Sequence, residues 1–264
     1  MSSSTRRKIF IAGNWKSNGD RAFVNRHCMF LTGARIDRNS TELCLAPPNI
    51  YLLTCKTFLA HLFNICAQNI SQFDNGSYTG EVSAKQIKDL GVDWTIIGHS
   101  ERRKYFNEDE IIVGKKIEQA LNNKLNIIFC IGDNKEDIEK SNTFEIIKKQ
   151  LETVFDKVKE NWENIVIAYE PVWENEINTL INKEKVQEIH EFIRNQIKEK
   201  LGEEISNKVR IIFGGKVDEN NCKELIMLKD VDGFLVGEPS IKSAFTAGKW
   251  QTRLTSNSFG QSTR

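Results

Sequence analysis

Long apolar runs are missing from this sequence: none approaches the roughly 20 residues that a bilayer-spanning helix requires. The opening residues, MSSSTRRKIF, lack the apolar core of a secretory signal, so none is expected. Excess charge of either sign is missing too. Thirty-seven basic residues face 36 acidic ones, for a formal net charge of +1, and no basic stripe stands out. That balance argues against nucleic acid or an anionic membrane as a partner. Cysteine pairs are also absent. Cys28, Cys44, Cys55, Cys66, Cys130 and Cys222 make no C-x-x-C motif, and no His/Cys cluster has zinc spacing. Four of the six sit inside apolar runs, where a thiol serves as a small buried hydrophobe. Reduced, structural cysteines are expected, in a reducing compartment. The cytoplasm is the expected location, with an organelle as the alternative. No metal or organic cofactor is expected, because no ligand cluster or dinucleotide glycine motif of useful specificity occurs.

What is present is a soluble globular composition, with 28% charged and 39% hydrophobic residues in 264. That length suits a single α/β barrel. Eight short runs rich in Ile, Val and Phe recur, as buried parallel strands do. They are KIFIAGN, ELCLAP, FNICAQN, WTIIGHS, NIIFCIG, IVIAYE, RIIFGG and GFLVGE. Amphipathic stretches separate most of them. NTFEIIKKQLETVFDKVKENW carries a stripe of Ile146, Leu151, Val154, Phe155 and Val158. NKEKVQEIHEFIRNQIKEKL carries one of Val186, Ile189, Ile193 and Ile197. Eight strand–helix units without a composition break fit one closed (β/α)8 barrel over residues 8–250 better than an open doubly wound sheet, which stays the alternative because periodicity does not show closure. Residues 1–7 read as a flexible extension, and residues 251–264 as a disordered polar tail.

In a parallel barrel the working groups stand at the C-terminal ends of the strands. Here the first strand ends in Asn14 and Lys16, the fourth in His99, Ser100 and Glu101, and the sixth in Glu170. An amine, an imidazole and a carboxylate thus come to one face from three separated strands. Singly, each has a plain structural explanation: a solvated lysine, a hydrogen-bonding histidine, a strand ended by Pro171.

The motifs AGNWKSN, GHSERR, CIG, AYEPVW and FGG, in this order and spacing, resemble those of the triosephosphate isomerase family. The likeness runs from about Lys8 to Gly248, and GHSERR and AYEPVW are its specific parts. The resemblance implies a glutamate base beside a neutral histidine under a closing loop, as in that family. It also implies interconversion of dihydroxyacetone phosphate and D-glyceraldehyde 3-phosphate, a step of glycolysis and gluconeogenesis. Glu170 would be the base, His99 the electrophile and proton shuttle, and Lys16 the cation for the enediolate. Asn14 would hold Lys16, Glu101 would line the pocket, and Gly214, Gly215, Lys216 and Gly237 would meet the phosphate. Pro171, Val172, Trp173, Glu174, Asn175 and Glu176 would form the lid. Cys130 falls where the family has a cysteine behind the base, and reads as packing. The resemblance also implies a buried Arg102–Glu108 ion pair and a homodimer. In that dimer the loop 69–81, beginning after Gln68 and carrying Thr79 to Glu81, would insert beside Lys16 and His99 of the second copy.

Three elements depart from the family pattern. The lid has lost its glycines and gained Glu174 and Glu176. The turn after strand seven reads Phe213-Gly214-Gly215-Lys216 where the family has a tyrosine, two glycines and a serine. Its phenylalanine lacks the hydroxyl that latches the closed lid. After strand eight Glu238 follows Gly237, and Pro239 has no N–H. A carboxylate about 4 Å from one phosphate charge costs on the order of 4 kcal/mol at an effective dielectric of about 20. Impaired phosphate binding is therefore expected, with Lys216 either meeting the phosphate or, preferentially, pairing with Glu238. The leading reading is an isomerase with an altered phosphate clamp. The alternatives are a catalytically weak or inactive barrel kept as a binding protein, and proton transfer on an unphosphorylated or differently charged hydroxy-carbonyl compound.

Overall fold

The computed structural model describes residues 7–34 and 36–242. Residues 1–6 of the expected extension and the whole expected tail lie outside the described residues. Eight parallel strands close into a barrel in sequence order: β1 (Ile9–Asn14), β2 (Thr41–Ala46), β3 (Asn64–Ala67), β4 (Trp94–Ile97), β5 (Asn126–Asp133), β6 (Ile165–Pro171), β7 (Arg210–Phe213) and β8 (Gly233–Val236). Closure comes from β8 pairing back onto β1, Phe10 opposite Gly233 through Gly13 opposite Val236. The (β/α)8 barrel expected from eight apolar runs is what forms.

Side chains on a strand alternate between faces, and this alternation builds two cores. Ile9 and Ile11 of β1 belong to the outer layer between barrel and helices. Phe10 and Ala12 belong to the barrel interior, with Cys44, Ala46, Cys66, Ile96, Cys130 and Ala168. All six cysteines are free and buried, as expected of small apolar fillers.

The helix Thr143–Lys157 buries Ile147, Leu151, Val154 and Phe155. Its stripe runs through Ile147 rather than Ile146, and Val158 stands just past its end in extended backbone. Adjacent isoleucines cannot be ranked by pattern alone, and the barrel wall selects the one that faces it. The helix Lys183–Leu201 buries the expected Val186, Ile189, Ile193 and Ile197, and adds His190 and Arg194. Arg194 donates to Asp230 (2.6 Å) and Asp232 (2.7 Å), and Arg7 also donates to Asp232 (2.6 Å). A charged cluster thereby closes the end of the barrel opposite the strand C-termini.

Candidate active site

Asn14 ends β1 with its side chain buried, and its Oδ1 accepts the Lys16 amide at 3.0 Å. Lys16 itself sits at φ +53°, a left-handed conformation uncommon for a side-chain-bearing residue. Gln68 helps to hold it there, donating to the Lys16 carbonyl (2.9 Å) and to the Ala46 carbonyl (2.8 Å). Functional sites concentrate backbone strain of this kind. Here the strain carries the Lys16 ammonium across the mouth to Glu101, at 2.6 Å.

His99 follows Gly98, whose φ of +78° and close approach to the Cys130 carbonyl leave little room for a side chain. The imidazole caps the helix Ser100–Phe106: Nδ1 accepts the Glu101 amide at 3.2 Å. The other ring nitrogen, Nε2, lies 3.0 Å from Glu170 Oε1. Burial opposes the imidazolium, whereas Glu170 beside it pushes the His99 pKa above its ordinary value. An imidazolium would set its Nδ1–H against the Glu101 N–H, so the capping bond calls for the neutral ring with its proton on Nε2.

Glu170 is 6% exposed. Burial works to raise its pKa, but His99, the Ser100 amide (2.9 Å from Oε2) and Lys16 together hold it below the ordinary carboxylate value. The strand carrying it fits against Gly132, where an added Cβ would stand 2.0 Å from the Glu170 carbonyl oxygen. Cys130 lies in the barrel interior behind the base, and burial pushes its thiol well up. The site is thus a charged, hydrogen-bonded wall, able to take a proton at Glu170, donate one at His99 Nε2 and offer positive charge at Lys16.

A cavity of about 660 Å³ opens over this wall. Asn14, Lys16, His99, Glu101, Glu170, Gly214, Gly215, Lys216 and Gly237 all line it. Of the lid, Pro171, Val172 and Glu176 face it, while Trp173 and Glu174 are buried. Gly237 brings the β8 turn against Lys16: an added Cβ would stand 3.3 Å from Lys16 Cε. Among the described residues, no group of three or more His, Cys, Asp or Glu is arranged to hold a metal ion.

The expected Lys216–Glu238 pair does not form. Glu238 begins the short helical turn Glu238–Ile241 and reaches forward to Lys242, 2.9 Å away on the exposed surface. Lys242 holds the Glu238 carboxyl below its ordinary value. Lys216 turns to the lid instead, its ammonium donating to the Glu174 carbonyl (2.9 Å) and the Asn178 side-chain oxygen (3.2 Å). A partner four residues along the same turn outcompetes one across the mouth.

The lid residues Trp173–Glu176 form a helical turn. Glu176 leans outward to Lys104 (2.9 Å) and the Lys135 amide (3.2 Å). Glu174 turns inward: Oε1 accepts the Ile181 amide at 2.8 Å and Oε2 the Lys216 amide at 2.7 Å. Burial raises its pKa against the pull of those two amides. The sequence reading did not single out Ile181, Lys104 or Asp133. Asp133 ends β5, accepts from the Tyr169 hydroxyl (2.8 Å) and Thr143 (2.7 Å), and its carbonyl takes the Val172 amide (3.0 Å) at the lid's root. Its place at a strand's C-terminal end was the available signal.

The ion pair between Arg102 and Glu108 is present, and Glu108 also binds Lys116. A second cavity of about 390 Å³ adjoins the first, sharing Asn14, Lys16, His99 and Glu101 and reaching Gln68, Gly80, Glu81 and Phe106.

The family model described as triosephosphate isomerase matches residues 9–248. The triosephosphate isomerase of Paracoccidioides lutzii is 40% identical over 240 residues, covering 90% of this chain and 96% of the relative. That of Emericella nidulans is 39% identical over the same shares. The chloroplastic triosephosphate isomerase of Fragaria ananassa is 40% identical over 235 residues, 89% of this chain and 74% of the relative. Family model and relatives agree: this chain belongs to the triosephosphate isomerase family.

Proposed function

We propose that the chain is a triosephosphate isomerase, interconverting dihydroxyacetone phosphate and D-glyceraldehyde 3-phosphate through an enediolate. The observation that carries this reading is the contact of Glu170 Oε1 with His99 Nε2 at 3.0 Å, with Lys16 on the same cavity wall. Glu170, held ionised, takes the proton from the carbon beside the carbonyl and returns it to the neighbouring carbon. His99, neutral and with its proton on Nε2, polarises the carbonyl and relays protons between the two oxygens. Lys16 offsets the negative charge that develops on the enediolate oxygens. Turnover of purified protein on D-glyceraldehyde 3-phosphate, beside a Glu170→Gln control, tests the reading. Absence of turnover from both would favour a binding role.

The phosphate end is proposed to grip less well than a glycine-lined one. In support, the Lys216 amide is already spoken for by Glu174, and Pro239 supplies no N–H. The Gly215 and Gly237 backbone and the Lys216 ammonium remain, the ammonium's hydrogen-bond partners here being both uncharged oxygens. Phosphate binding on this reading depends on a lysine charge and weakens with salt.

A homodimer through residues 69–81 is the proposed assembly. Exposed apolar groups around that loop support it: Ile50, Phe73 stacked on Tyr78 at 4.1 Å, Tyr105 and Phe106. The second cavity, open beside Lys16 and His99, suits the insertion of Thr79 from a second copy. Sedimentation of the wild type and of Thr79→Arg checks this: a dimer is expected, dissociated by the substitution. Among the described residues, no helix is long and apolar enough to cross a membrane. A cytoplasmic location is proposed from the six buried free thiols; a fluorescent fusion of the full chain would test it.

A further inference from the structure

The sequence left the lid without its expected fastening, because residue 213 is phenylalanine and residue 216 is lysine. The structure shows what stands in that place. An added Cβ on Gly215 would lie 2.3 Å from the ring tip of Phe213, Cζ, and 2.7 Å from Glu174 Oε2. The Glu174 carboxylate and the tip of the Phe213 ring therefore border the same small space at Gly215. The carboxylate spans the lid: Oε1 takes the Ile181 amide at the lid's far root, one residue before Asn182 caps the helix Lys183–Leu201. Oε2 takes the Lys216 amide of the β7 turn. The bracing is returned by Lys216, whose ammonium holds the Glu174 carbonyl and the Asn178 side chain. At 1% exposure, the carboxylate is shielded from the water that would compete for these bonds.

We propose that Glu174 is the latch of the lid, a positioning residue that fastens the lid's start, its far root and the β7 turn into one unit. The proposal rests on the isomerase reading for its effect on turnover, though not for the hydrogen bonds themselves. Phe213, Glu174 and Ile181 line one small cavity, which makes Phe213 and Glu174 a compensating pair: a hydroxyl on that ring is the alternative acceptor for the Ile181 amide. A latch acts on kcat, because a lid that settles in the wrong place leaves the reacting groups misaligned. Misplacements of about 1 Å cost on the order of a hundredfold.

The test has two arms on the full chain. Steady-state kinetics on D-glyceraldehyde 3-phosphate compare the wild type with Glu174→Ala, Phe213→Tyr and the double variant, with thermal unfolding measured alongside. Glu174→Ala is expected to lower kcat by about ten- to a hundredfold. The double variant is expected to recover about tenfold of that loss, because the new hydroxyl enters the vacated space and accepts the Ile181 amide. An unchanged kcat in Glu174→Ala, or no recovery in the double variant, overturns the latch. The second arm needs no turnover. Amide exchange at Ile181 and Lys216 is expected to be slow in the wild type and at least about tenfold faster in Glu174→Gln, which retains one acceptor oxygen. Rapid exchange at both amides in the wild type overturns the latch. A protein with no isomerase activity but with protected amides would sink the function and leave the latch standing.

Discussion

On one side of the barrel mouth, Lys16, His99 and Glu170 reach the cavity on side chains whose partners also line it: Lys16 with Glu101, His99 with Glu170. On the lid side, Glu174, Glu176 and Glu238 are instead engaged by other parts of the protein, although Glu176 and Glu238 also border the cavity. One is satisfied by amides beneath the lid, and two by surface lysines. The first arrangement directs charge at a bound molecule, whereas the second uses charge to hold the protein to itself. A list of acidic residues does not separate these uses; the partners do.

The comparison can be broken at its strong end first. Glu170→Gln removes the base without changing shape, so kcat is expected to fall by about 10²–10⁴, worth roughly 3–5 kcal/mol of barrel-mouth catalysis. A loss under tenfold in a direct isomerase assay would remove Glu170 from the chemistry.

Next comes the wall behind the lid side. His190 packs edge-on to Tyr169 and near Phe213, with its Nδ1 on the Asp230 carbonyl. Burial lowers its pKa to about 4, the Asp230 carbonyl works to raise it, and the charge of Arg194 lowers it further. The unfolded chain thus binds more protons than the folded one between about pH 6.5 and 4. Stability is fully present above that window and is lost as the pH falls through it, by up to about 3 kcal/mol. Denaturant unfolding at pH 7.5, 5.5 and 4.5 checks this, and His190→Asn should flatten the slope.

Lys216→Met sharpens the contrast on the lid side. KM is expected to rise about tenfold, and the difference from the wild type to shrink at high salt, as befits loss of a charged hydrogen-bond donor. The smallest effect is expected from Glu238→Gln. An exposed carboxylate already paired with Lys242 should move KM by no more than about twofold. A large improvement there would restore Glu238 as the obstacle to phosphate.

Much of this was legible before any coordinates. Runs of Ile, Val and Phe marked the strands because a wall buried on both faces admits little else, and strand ends then located Asn14, His99 and Glu170. The destinations of Glu174, Lys216 and Glu238 were not legible. Glu174 meets an amide 42 residues away, and Glu176 a lysine 72 residues away. Such partners follow from how the turns sit, which no local pattern encodes. Lys216 illustrates the limit: its charge was readable, but the choice between a carboxylate across the mouth and two neutral oxygens in the lid was a matter of reach.

The six sulfur atoms buried throughout the barrel offer a separate use. A water-soluble alkylating probe reaches none of them while helices and strands stay packed together, so its uptake counts openings of the scaffold rather than of the flap above it. Rates of labelling that stay constant while the flap is loosened by mutation would show that this molecule can let its entrance breathe without loosening its frame.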